Sequence, residues 1–147
     1  VDSPQPQPSE GHFLVKSVFV DTSAFYAVLD AGDPFHTIAR REFERAEREH
    51  WQLVTTNYVV HETWSLLQHR LGWDAVEDFL DVMLPLCRVE FVDEALHAQA
   101  AQHCRQSRRR RLSLTDCLSF EVMRRLQLTE AIAQDEHFSE NGIQLPR

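Results

Sequence analysis

Lysine is almost missing from this chain: Lys16 is the single lysine among fifteen basic residues. No lysine follows any later strand, so a phospho-receiver domain, which needs one to contact its phosphoryl group, is excluded. The phosphatase pair Asp-x-Asp is also missing, because Ser23 stands two residues after Asp21. Cysteine is scarce, and Cys87, Cys104 and Cys117 are odd in number and widely spaced, which argues against a disulfide framework and for a reducing cytoplasm. No apolar run approaches the length of a membrane span. Phe13 to Val20 is interrupted by Lys16 and Ser17 and makes a poor signal-peptide core. Positive charge is in deficit, with a formal net charge of −8, so a broadly basic surface that coats nucleic acid is excluded while a local basic patch is not. The zinc-protease pattern His-Glu-x-x-His starts at His61-Glu62 but fails at Ser65, and His97, His103, Cys104 and Cys117 lack zinc-site spacing.

What is present fits one domain, since 147 residues bury about two-thirds of their unfolded surface without staples. Residues 1–11 are rich in Pro, Gln and Ser and begin without Met, as a processed end or vector remnant does. The expected division is a tail over residues 1–16 and a folded unit over residues 17–147. Val18-Phe19-Val20 reads as a strand buried on both faces, followed by a buried helix from Ser23 to Leu29. Phe35 to His50 reads as an amphipathic helix with a solvated charged face. Trp51 to Val54 reads as a second strand, and Thr56 or Asn57 caps a helix from Tyr58 to Leu71 that Gly72 ends. Asp74 to Leu84 is predicted helical and stopped by Pro85, Leu86 to Val92 is a third strand, and Asp93 opens a helix to about Gln106. Ser113 opens another to about Leu126, and Ala131 to Ala133 form a short strand ending near Asp135. Strands alternating with helices mean an α/β fold, a three-layer sandwich around a central, mainly parallel sheet.

Four acids stand at special places in that plan. Asp21 follows the first strand at its carboxyl end, where open α/β sheets place their crevices. Glu62 falls beside Val59 and Leu66, on the shoulder of its helix's apolar stripe. Asp116 sits in the first turn of its helix, within an apolar arc, and Asp135 follows the last strand. Each also has a plain explanation as a helix cap, a capping-box acid or a boundary glutamate. Together, however, four carboxylates at one crevice cannot stay ionised without a cation, because like charges raise one another's pKa. Oxygen ligands with no companion Cys or His select Mg²⁺ or Mn²⁺.

The residues Val18-Phe19-Val20-Asp21-Thr22-Ser23-Ala24, Val59-Val60-His61-Glu62, Leu112-Ser113-Leu114-Thr115-Asp116 and Asp135-Glu136-His137-Phe138 before Gly142 resemble the PIN-domain family, especially the VapC-type toxins of toxin–antitoxin pairs. The resemblance runs from Ser17 to Leu145 and implies a PIN-like fold. It also implies a metal site of Asp21, Glu62, Asp116 and Asp135, with Thr22, Ser23 and Thr115 as supporting hydroxyls. Gln134 stands where a small hydroxyl residue is common in that family. The implied activity is Mg²⁺- or Mn²⁺-dependent endonucleolytic cleavage of single-stranded RNA (tRNA, rRNA or mRNA), and the implied partner is a small antitoxin. The rival reading is a PIN-like scaffold that binds RNA or protein without cutting.

The run Arg108, Arg109, Arg110 and Arg111 just before Asp116 has two readings, a grip on RNA phosphates beside the metal or a solvated loop at a helix end. The helices at Phe35–His50 and Asp74–Leu84 offer surfaces for a homodimer or an antitoxin segment, besides their ordinary packing.

Overall fold

The computed structural model describes residues 15–146. The expected tail, residues 1–16, lies outside the described residues except for Val15 and Lys16. In chain order the elements are β1 (Ser17–Val20), α1 (Thr22–Leu29), α2 (His36–Arg48), β2 (Gln52–Thr56) and α3 (Asn57–Arg70). A continuous helical run follows, α4 (Trp73–Asp78) passing into a π-helical turn (Phe79–Met83) and a 3₁₀ turn (Leu84–Leu86). Then come β3 (Cys87–Glu90), α5 (Glu94–Ser107), α6 (Leu114–Arg125), β4 (Ala131–Ile132) and the short α7 (Glu136–Glu140).

The four strands form one parallel sheet in the order β3-β2-β1-β4, flanked by helices, as the alternating pattern predicts. From β1 the chain moves to β2 and β3 on one side, then returns to place β4 on the other. The strand order therefore reverses between β1 and β4, and that switch point is where a crevice opens beyond the strand ends. Phe19 pairs with Ala131 and Val20 with Ile132, and the Asp21 N–H donates to the Ile132 carbonyl at 3.1 Å, so β1 and β4 deliver their following residues side by side. Thr55 Oγ1–H, fully buried on β2, donates to the Val20 carbonyl at 2.9 Å and holds β1 from its other flank.

Phe19, Phe25, Phe79 and Phe138 are fully buried. Phe138 of α7 packs edge-on against Phe120 of α6, centroids 5.0 Å apart, and lies 6.3 Å from Phe19 of β1. Burial of a phenylalanine contributes about 2–3 kcal/mol, so this trio fixes two site-bearing elements against the sheet.

Several local expectations shift. The helical run starts at Trp73 and does not stay α-helical to Leu84: the widened turn at Phe79–Met83 coincides with Phe79, which meets Phe25 edge-on at 5.0 Å. A π-helical turn inserts one residue into the hydrogen-bond ladder and so re-aims the following side chains. Leu71, the expected last residue of the third helix, lies just past it and is exposed, where the chain turns at Gly72 with φ +93°, a conformation that favours glycine. Glu42, expected on the solvated face of α2, is buried and lies 3.6 Å from Arg41.

Candidate active site

Asp21 is the side-chain N-cap of α1 and is only 5% exposed. Its Oδ2 accepts from Ser23 Oγ–H at 2.9 Å and from the Ser23 N–H at 3.4 Å. Burial pushes its carboxyl up to about 7 against the Ser23 bonds, and the charges of Asp116 and Glu62 add to the rise. The capping explanation and the site explanation are thus both true of one residue: the cap uses one oxygen and aims the group.

Asp116 repeats the pattern in the first turn of α6. The capping box is complete, with the Ser113 N–H donating to Asp116 Oδ2 at 3.1 Å and the Asp116 N–H donating to Ser113 Oγ at 3.0 Å. Buried at 8% exposure, Asp116 also has its pKa raised, first by desolvation, with the Ser113 bonds opposing and the charges of Asp135 and Glu62 adding. Glu62 is half-buried on α3 and acts on both aspartates. Asp135 caps α7 by accepting the His137 N–H on Oδ1 at 2.9 Å. The structure therefore couples Asp21, after β1, with Asp116 on α6, sets Glu62 on α3 against both, and brings Asp135, after β4, to Asp116. Among the described residues none of the four forms an ion pair with lysine or arginine.

The hydroxyls serve unequally. Ser23 Oγ donates to Asp21 and accepts the Gln134 N–H at 3.0 Å, which ties the start of α1 to the end of β4. Thr22 is buried and accepts from Thr63 Oγ1–H at 3.4 Å, linking α1 to the helix that carries Glu62. Thr115 offers its carbonyl to Ser119 Oγ–H at 2.9 Å, and its side chain makes no hydrogen bond to the acids among the described residues. The arginine run is split: Arg108 caps α5 in a left-handed conformation, whereas Arg109, Arg110 and Arg111 line a cleft of about 560 Å³ with Asp135, Glu136, His137 and Glu140. Arg109 is engaged by Glu140 at 2.8 Å.

Sequence reasoning gave no role to His137, although it stands two residues after Asp135. Its Nδ1 is buried, lies 2.8 Å from Asp135 Oδ1 and 3.9 Å from Asp116 Oδ2, and makes no aligned hydrogen bond. Donor atoms of Asp116, Asp135 and His137 all fall within 4.8 Å of one another. Buried carboxylates with raised pKa values and no lysine or arginine partner among the described residues, beside an imidazole nitrogen with no aligned hydrogen bond, form a donor set that fits a divalent cation.

A family model for the PIN domain matches residues 18–143. The chain is 36% identical over 127 residues to the 23S rRNA-specific endonuclease VapC20 of Mycobacterium tuberculosis, covering 86% of this chain and 95% of that protein. The crystal structure of Mycobacterium tuberculosis VapC20, described as a sarcin-ricin loop cleaving toxin, superposes with a TM-score of 0.77 at 35% identity, over 86% of this chain and 96% of that one. FitAcB from Neisseria gonorrhoeae shares the fold, with a TM-score of 0.62 at 16% identity, over 87% and 95% of the two chains.

Proposed function

The chain belongs to the PIN-domain family and, within it, to the VapC-type toxins, and from that premise we propose that it is a divalent-metal-dependent endoribonuclease that hydrolyses phosphodiester bonds in single-stranded RNA. The observation that carries this reading is the convergence of Asp21, Glu62, Asp116 and Asp135 at the switch point of the sheet, two of them buried with raised pKa values. The likeness to a 23S rRNA-specific endonuclease favours ribosomal RNA as the substrate, and looped-out single-stranded segments are the parts of RNA whose bases a protein can read.

Asp21 and Asp116 would hold the ion, with Asp135 and Glu62 bound directly or through water. A bound Mg²⁺ or Mn²⁺ supplies polarisation of the phosphoryl oxygen and a more acidic attacking water. Ser23 keeps Asp21 aimed and keeps the Gln134 peptide beside it, while Ser113 does the same for Asp116. Arg110 and Arg111 position the RNA backbone across the cleft next to Asp135. Arg109, held by Glu140, defines that cleft's wall.

The compartment that suits the three free thiols is the cytoplasm, and no helix among the described residues is long and apolar enough to cross a membrane. The partner is a cognate antitoxin, and the chain pairs as a homodimer. The surface supporting partner binding is the α4 run, which exposes Trp73, Val82 and Leu86.

The test is incubation of purified protein with a single-stranded RNA and with a 23S rRNA sarcin–ricin fragment, in Mg²⁺ or Mn²⁺. Cleavage that disappears on chelation and in Asp21→Asn supports the reading. Cleavage that survives both overturns it.

A further inference from the structure

His137 adds a nitrogen donor to a site that sequence spacing presents as all oxygen. Its Nδ1 stands 2.8 Å from Asp135 Oδ1 and 3.9 Å from Asp116 Oδ2, both within ion-pair distance, yet it makes no aligned hydrogen bond. The same carboxylate oxygen already accepts the His137 backbone N–H at 2.9 Å, so the cap needs nothing from the ring. A buried, unbonded imidazole nitrogen is costly unless something else satisfies it. Two acceptor atoms that close have the spacing of neighbouring ligands around one cation, since adjacent corners of an octahedron with bonds of about 2.1 Å lie about 3 Å apart, and Asp116 Oδ2 at 3.9 Å stays within the about 4.2 Å that separates opposite corners.

The ring is also held in place. Phe138, the next residue, is fully buried between Phe19 and Phe120, and Asn141 Nδ2–H donates to the His137 carbonyl at 2.8 Å. The α7 turn is therefore fixed by packing rather than by the ring, and the imidazole is preorganised toward the acids. From this geometry we propose that His137 Nδ1 is a direct ligand of the catalytic metal, completing a set with Asp116 and Asp135, and that it biases the site toward Mn²⁺ over Mg²⁺. The bias follows from ligand softness: Mg²⁺ is bound by oxygen, whereas imidazole favours transition-metal ions. The inference rests on the metal-dependent reading above and adds a donor that the four acids do not supply.

Electron spin-echo envelope modulation of Mn²⁺ bound to the unaltered, RNA-free protein reports nitrogen in direct coordination. Strong ¹⁴N modulation is expected, and it should vanish in His137→Ala while Mn²⁺ still binds the acids. By titration calorimetry the same substitution should weaken Mn²⁺ about tenfold or more and leave Mg²⁺ affinity within about twofold, which lowers the Mn²⁺/Mg²⁺ preference. Bound Mn²⁺ without ¹⁴N modulation in the unaltered protein, or unchanged modulation in His137→Ala, overturns the proposal and leaves the nuclease reading standing. RNA left uncut by protein that shows the nitrogen signal defeats the nuclease reading and keeps the ligand assignment. The wild-type spectrum needs no variant to fold.

Discussion

The two ends of the one parallel sheet treat charge in opposite ways. At the amino end, Lys16 meets Glu130 at 2.6 Å and lies 4.1 Å above the Trp51 ring, while Arg45 meets Glu49 at 2.5 Å and also covers Trp51. At the carboxyl end, Asp21, Glu62, Asp116 and Asp135 gather without lysine or arginine partners among the described residues, and the pKa values of Asp21 and Asp116 rise. A cavity of about 800 Å³ at the amino end includes none of these acids, although it is larger than the cleft of about 560 Å³ that Asp135 lines. Size therefore does not mark the candidate site; carboxylates without lysine or arginine partners among the described residues do. The amino-end charges pair with one another near the surface, whereas burial of Asp21 and Asp116 without a lysine or arginine partner carries a cost in stability that a bound cation would offset.

The sharpest test of this contrast is Asp21→Asn. The amide keeps an oxygen for the Ser23 bonds and the cap, so the fold should persist. RNA cleavage should fall by about a thousandfold or more, equivalent to about 4 kcal/mol of lost transition-state stabilisation. Full activity would mean that the unpaired acids are incidental.

A second test uses pH and no RNA. Asp21 is raised from 3.8 to about 7 on folding, so between those values the folded state binds the extra proton. Stability of the metal-free protein should therefore be greatest near pH 4 on this account and fall as pH rises to 7, by at most about 4 kcal/mol from this group. Saturating Mn²⁺ should recover the loss at pH 7 and above. Urea melts across that range, with and without the ion, measure it. A flat metal-free profile from pH 4 to 7 would remove the premise that the acids are strained.

Much of this arrangement was legible in the chain. The apolar run ending on Asp21, the Ser113-x-x-Asp116 box and the wheel position of Glu62 are local patterns, and the structure keeps each of them. Their neighbourhood follows from β4 pairing beside β1, which a parallel α/β plan allows but does not dictate. His137 escaped because its meaning depends on the orientation of the five-residue α7, set by Phe138 reaching Phe19 over a hundred residues away in sequence. The π-helical turn escaped for a similar reason: Phe79 answers to Phe25, while local propensity continues an ordinary helix. Glu42 and Glu121 resemble solvated charges in sequence, and their arginine partners are local, the adjacent Arg41 and Arg124 one turn on; what the sequence hides is their burial, which packing against other elements sets.

A smaller effect should come from the cleft beside the acids. Replacing Arg110 and Arg111 together by Gln should reduce RNA affinity several-fold and lower the slope of log affinity against log salt by about 1–2, while leaving Mn²⁺ affinity unchanged. An unaltered salt slope would assign the arginines to solvent alone.

The smallest effect is expected at the amino end, and it closes the contrast from that side. Lys16→Met keeps an aliphatic stem over Trp51 but removes the ion pair with Glu130 and the cation above the ring. Both carboxylate and ammonium are about one-third exposed, so water screens the pair and its loss costs about 0–1 kcal/mol. The cation–π contact adds about 0.5–1 kcal/mol at such a site. A fall in Tm of roughly 2–4 °C is the expected result for a chain of this size, with cleavage rate and Mn²⁺ affinity unchanged. If cleavage fell tenfold in folded protein, the amino end would have to contribute to RNA binding or to the alignment of β1. The division of one sheet into a paired structural end and an unpaired reactive end would then fail.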